Sequence, residues 1–119
     1  MTMPKFYHYP NCSTCRKAKK WLESHRQNLE VVDITLHPPS VAELKKIITL
    51  SGSKITDLMN TSGVQYRLLN LKLKIKNMTD DEILRLLAKN GKLIKRPLLL
   101  SADHASIGFQ EAIFQKTWK

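Results

Sequence analysis

Long apolar runs are absent from this chain. Nothing approaches the roughly 20 residues that a membrane-spanning helix needs, and Met1-Thr2-Met3-Pro4-Lys5 lacks the apolar core of a signal peptide. No membrane role is expected, and the expected compartment is the cytoplasm. Glycine and proline are sparse, at four and five, which excludes a collagen-like or low-complexity chain. Cysteine is sparser still, at two, so no disulfide framework holds the fold. In a reducing compartment two cysteines three positions apart do not serve as a permanent staple, which leaves redox or metal chemistry. Acids are scarce too: ten Asp and Glu against twenty Lys and Arg give a net charge of +10.

What is there suffices for a core. With 119 residues, 42% of them apolar, the chain fits one domain spanning 1–119, ordered nearly throughout. The excess of positive charge suits an anionic partner as well as it suits a solvated basic surface. The basic residues are scattered from Lys17 to Lys46, Lys74 and Lys95, with no aromatic residues interleaved at any regular spacing. Direct sequence-specific binding of nucleic acid is therefore not expected.

Lys5 to Tyr9 is short and aromatic-rich, and Pro10-Asn11 stops it, so it reads as a strand ending in a turn. From Ser13 to His25, Ala18, Trp21, Leu22 and His25 recur at helical spacing. Leu29 to Ile34 reads as a second strand, parallel to the first across that helix. Ser40 and Glu43 form a capping box for a helix with Val41, Leu44, Ile47 and Ile48 as its buried stripe, ended by Ser51-Gly52-Ser53. Short helical pieces are expected over 54–77. Thr79 and Glu82 form a second capping box ahead of Ile83, Leu84, Leu86 and Leu87, with Asn90-Gly91 as the C-cap signal. Leu98 to Leu100 and Ala105 to Gly108 read as strands, and Gln110 to Trp118 as a closing helix. The order is β-α-β, a helical stretch, then β-β-α.

Cys12 falls at the start of the first helix, where unpaired backbone N–H groups and the helix dipole favour thiolate over thiol. Cys15 lies about one turn on, on the same face, within reach of Cys12. So small a disulfide ring hardly constrains the unfolded chain, so its value is chemical: Cys12 attacks and Cys15 resolves the mixed disulfide. Arg16 and Lys17 add positive charge beside the pair. His8, at the end of the first strand, is either a donor to the thiolate or a structural histidine. A zinc site needs two more ligands, and His8, His25, His37 and His104 are dispersed, so no metal is expected. Two buried structural cysteines are the remaining alternative, and the βαβ setting favours redox use. Arg96-Pro97, directly before a buried strand, marks a special turn and a candidate cis bond.

The run from Tyr7-His8-Tyr9-Pro10-Asn11-Cys12-Ser13-Thr14-Cys15 to Arg16-Lys17-Ala18, with Pro38-Pro39-Ser40, Thr79-Asp80-Asp81-Glu82 and Leu93-Ile94-Lys95-Arg96-Pro97-Leu98, resembles the ArsC/Spx family over about Lys5 to Trp118. That family joins glutaredoxin-type arsenate reductases to the Spx transcriptional regulators. The resemblance implies an α/β fold, a thioredoxin-like core of βαβ and ββα halves with a helical insertion at about 38–90. It implies Cys12 as nucleophile and Arg96 beside a cis Pro97, supplying charge-assisted hydrogen bonds to an oxyanion or thiolate.

Arsenate reductases of this kind hold the oxyanion with three arginines, and here the first falls at Asn60 and the third at Phe109. Each missing donor removes roughly 1.5 to 3 kcal/mol, so efficient arsenate reduction is not expected. The first expectation is a thiol–disulfide reductase or redox protein with no cofactor. Its electrons come from a redox partner protein or small thiol, with glutathione, glutaredoxin and thioredoxin all open. The alternative is a redox-sensing regulator that binds the RNA polymerase α subunit, although the chain stops at Lys119, without those regulators' longer tail, and has no basic residue over 60–63, where they carry an Arg.

Overall fold

A computed structural model of the chain describes residues 3–25, 27–61 and 63–118, the side chains of Val64 and Gln65 excepted. In chain order the elements are β1 (Lys5–His8), α1 (Ser13–Ser24), β2 (Glu30–Asp33), α2 (Val41–Ser51), α3 (Val64–Leu68), α4 (Leu71–Lys74), α5 (Asp80–Lys89), β3 (Leu98–Leu100), β4 (Ala105–Ile107) and α6 (Glu111–Thr117). Short 3-10 turns lie at Ile55–Leu58, Ile75–Asn77 and Gly91–Leu93. The strands form one sheet in the order β2-β1-β3-β4. β1 and β2 run parallel with Lys5 opposite Glu30, and β3 lies antiparallel to both β1 and β4, with Leu99 between Phe6 and Ser106. The fold is α/β in the expected order, and α2 to α5 fill the connection between β2 and β3.

Strand alternation divides the core between the two faces of the sheet. Phe6 and Leu99 face α1 and α6 and cluster with Cys15, Ala18, Trp21, Leu22, Phe114 and Trp118. Tyr7, Leu98 and Leu100 face the other way and cluster with Leu44, Ile47, Ile83, Leu84 and Leu87. β3 is an inner strand covered on both faces, which is why it reads as an unbroken Leu-Leu-Leu run. β2 is an edge strand, and its Glu30 and Val31 are exposed.

Both capping boxes form: the Ser40 hydroxyl accepts from the Glu43 N–H at 3.1 Å and the Thr79 hydroxyl from the Glu82 N–H at 3.2 Å. The Glu43 carboxylate also reaches β1. Its Oε2 accepts from the Lys5 ammonium at 2.8 Å and its Oε1 from the Tyr7 hydroxyl at 2.9 Å, so α2 is tied to the sheet by its own first turn. Burial alone would raise this carboxyl, but the hydrogen bonds from Lys5 and Tyr7 outweigh it and hold it below the ordinary 4.5.

α5 ends at Lys89 with Asn90 as its C-cap, where the Asn90-Gly91 signal placed it, but the cap is not left-handed. Asn90 is extended (φ −142°) and its side chain accepts from the Lys92 N–H at 3.2 Å, opening a 3-10 turn in place of a left-handed cap. Gly91 answers a different need. A Cβ there would stand 1.9 Å from the Ile34 carbonyl oxygen, so two backbone segments meet where only glycine fits. The left-handed cap is Gly52, at φ +66° in open space, closing α2 as its sequence signal indicated.

Two outcomes follow. Gly91→Ala is expected to destabilise the protein by about 3 kcal/mol, as overpacking against backbone does, and Gly52→Ala by only about 1 kcal/mol; urea titration of both variants measures the order. For Glu43 the folded carboxyl lies below its unfolded value, so its contribution is complete above 4.5 and is lost as pH falls through the folded value. Wild-type stability is therefore expected to fall more steeply than that of Glu43→Gln on acidification below 4.5.

Candidate functional site

The turn from β1 into α1 is set by the Cys12 N–H, which donates to the Tyr9 carbonyl at 3.0 Å. Cys12 becomes the N-cap of α1, with extended φ and ψ of −93° and 114°, and its Sγ accepts the Cys15 N–H at 3.2 Å. A sulfur in a position normally held by a Ser or Asp oxygen takes one of the free donors of the first turn. Cys12 is partly exposed, whereas Cys15 is 1% exposed within the α1 face of the core.

Both thiols are free. Burial, then the hydrogen bond shared with Cys12, pushes the Cys15 thiol up to about 12. Cys15 is thus held as a neutral thiol directly beneath the exposed sulfur. The pair divides into one accessible sulfur and one protected proton-bearing sulfur.

Arg96 approaches the pair from the start of β3, across the cis peptide bond to Pro97. Its guanidinium carbon lies 4.8 Å from the centre of the Tyr9 ring, a cation–π contact. Its Nε and NH1 are buried and, among the described residues, have no hydrogen-bond partner. Buried donors of a cation are costly to leave unmade, so this guanidinium is suited to an anion supplied from outside. A cavity of about 270 Å³ opens beside it, walled by Cys12, Asn60, Lys95, Arg96, Gly108 and Phe109 among others. Asn60 and Phe109, where the resemblance leads one to expect arginines, line this cavity together with Cys12, and neither carries charge.

His8 ends β1 on the same side as Phe6, with ring centroids 5.9 Å apart. Burial, opposed by Asp33 and aided by Lys19, lowers its pKa below 6.5, so it is neutral at pH 7. Among the described residues it makes no hydrogen bond to either cysteine. Arg16 directs NH1 to the Pro10 carbonyl at 3.2 Å, bracing the turn from outside. Reasoning from spacing alone did not single out Lys95, Gly108 or Tyr9. The available signal was adjacency, since Lys95 precedes Arg96-Pro97 and Tyr9 precedes the Pro10 turn.

The difference between the two thiols is measurable. At pH 8 a thiol held near 12 is ionised to about one part in ten thousand. Iodoacetamide is expected to modify Cys12 in the native protein while leaving Cys15 intact until denaturant is added, as read by peptide mass spectrometry.

Among known proteins the chain matches the family model described as "ArsC family" over residues 7–117. It is 49% identical over 113 residues to the uncharacterized protein YusI of Bacillus subtilis, covering 95% of this chain and 96% of that protein. It is 30% identical to the global transcriptional regulator Spx 1 of Lactococcus lactis, covering 92% and 84%. Two solved structures superpose closely. A putative ArsC family related protein from Bacteroides fragilis gives a TM-score of 0.91 at 43% identity, covering 97% of each chain. A possible arsenate reductase from Streptococcus mutans gives 0.84 at 40% identity, covering 92% and 93%. The match runs through the Cys12 turn and the Arg96-Pro97 corner alike, with a thioredoxin-like fold behind both, and by it this chain belongs to the ArsC family.

Proposed function

We propose that the protein is a thiol–disulfide redox protein in which Cys12 attacks and Cys15 resolves. The observation that carries this reading is the stacking of a partly exposed N-cap thiol on a buried free thiol three residues on. A Cys12 thiolate attacks a substrate disulfide, one S–S bond breaks and a mixed disulfide forms. Cys15 then attacks the Cys12 sulfur, giving up its proton as the second substrate thiolate leaves. Arg96, with two unpartnered donors at the cavity, holds an anionic group or the departing sulfur.

The test is direct. Mild oxidant is expected to give a Cys12–Cys15 disulfide, seen as a loss of two hydrogens, that dithiothreitol reverses with no change in the far-UV spectrum. Failure of the bond to form, or unfolding when it forms, would overturn the dithiol mechanism.

A second reading is supported by the likeness to Spx 1: a redox-sensing regulator that binds the RNA polymerase α subunit. Its test is retention of purified α subunit on the immobilised protein in one redox state and not in the other.

Arsenate separates this chain from the reductases its family includes. With uncharged Asn60 and Phe109 at the cavity, the natural protein is expected to reduce arsenate poorly with any thiol donor. Asn60→Arg with Phe109→Arg should improve binding by more than either change alone, because both donors converge on one anion. Cys12→Ser should abolish turnover. Rapid arsenate turnover by the unmodified protein would show that Arg96 and the helix N-terminus suffice.

A further inference from the structure

Lys95 lies along the wall of the Cys12 cavity that Gly108 forms. A Cβ on Gly108 would stand 3.2 Å from the Lys95 Cε and 3.7 Å from its Nζ, so the bare glycine leaves the groove in which the lysine rests. Both backbones are pinned: the Lys95 N–H donates to the Leu58 carbonyl at 2.7 Å and the Gly108 N–H to the Pro97 carbonyl at 2.8 Å. Two consecutive cations, Lys95 and Arg96, thus line one cavity, and among the described residues no acid lines it with them.

Thr14, Asn60 and Gln110 add uncharged polar groups to the remaining wall, and its other side is apolar. Phe109 stands edge-on to Phe114 at 4.8 Å, anchored to the core, and Ile107 lies beside it. At about 270 Å³ the space is just below the roughly 300–1,000 Å³ of small-molecule sites. It suits a short organic chain that carries an anion.

We propose that Lys95 is the specificity residue of this cavity: beside Arg96, its ammonium takes the carboxylate of a low-molecular-weight organic disulfide while Phe109 and Ile107 cover the methylenes. The inference rests on the reading of Cys12 as the attacking thiol. The Cys12 thiolate attacks one sulfur of R–S–S–R, the S–S bond breaks, Cys12–S–S–R forms and RS⁻ leaves to take a proton from water. Cys15 then displaces the second RS⁻ and its own proton is released. The substrate gains two electrons and the protein dithiol becomes a disulfide.

The test uses reduced protein and two probes of similar length, 3,3′-dithiodipropionate and neutral bis(2-hydroxyethyl) disulfide. Loss of protein thiols is followed by mass spectrometry, and each rate is divided by that of free dithiothreitol with the same probe. The wild type is expected to favour the dicarboxylate by about five-fold, the upper end of what a solvent-facing ion pair contributes. Lys95→Gln should lose that preference, and Lys95→Arg should keep it. Lys46→Gln removes the same charge from α2 and should keep it too. Equal loss in Lys46→Gln would assign the effect to net charge and overturn the proposal. So would a wild type that reacts with both probes without preference. Reaction with neither probe would overturn the Cys12 mechanism itself, and the inference with it.

Discussion

The helix that carries the cysteines is held at its height above the sheet by Phe6 and Leu99, side by side on neighbouring strands and buried in one cluster with Ala18, Leu22 and Phe114. Each such side chain contributes about 1.5 to 3 kcal/mol of burial. With that face of α1 seated, the first turn must emerge at the end of β1, so that Cys15 sinks into the cluster and Cys12 caps the helix above it. The unequal environments of the two sulfurs follow from this seating and need no additional charged partner.

The opposite wall of the site depends on a smaller device. The Asn60 N–H donates to the Leu93 carbonyl at 2.8 Å, the Lys95 N–H donates to the Leu58 carbonyl, and Met59 pairs with Ile94 in an isolated antiparallel bridge. Two segments far apart in sequence are clipped together there. The helical connection between β2 and β3 thereby delivers Asn60 to the cavity at a fixed distance from Arg96, while the β4–α6 corner delivers Phe109.

Much of the fold was legible because its signals are local. Ser40 with Glu43 and Thr79 with Glu82 define helix starts within four residues, and the Leu98 to Leu100 run announces an inner strand. Cys12 and Cys15 were legible for the same reason. Contacts across long separations were not. Nothing in the sequence says that Glu43 reaches Lys5 and Tyr7, or that Gly91 meets the Ile34 carbonyl, so a glycine needed for close approach read as an ordinary cap. Lys95 was one basic residue among many until Gly108 gave it a groove. The uncharged positions 60 and 109 came into view through family resemblance, and the cavity shows them together.

The split of the core between the sheet's two faces has an optical consequence. Both tryptophans of the chain, Trp21 and Trp118, lie on the α1 and α6 face, Trp21 stacked on His25 at 3.8 Å and Trp118 donating its indole N–H to Ser106 at 3.0 Å. The other face holds Tyr7 and Tyr66 and no tryptophan. Emission excited at the red edge of the absorption band thus views only the half of the molecule that buries Cys15. A loosening of α2 to α5 that spared the sheet would pass unseen by that light, and only tyrosine or far-ultraviolet signals would register it.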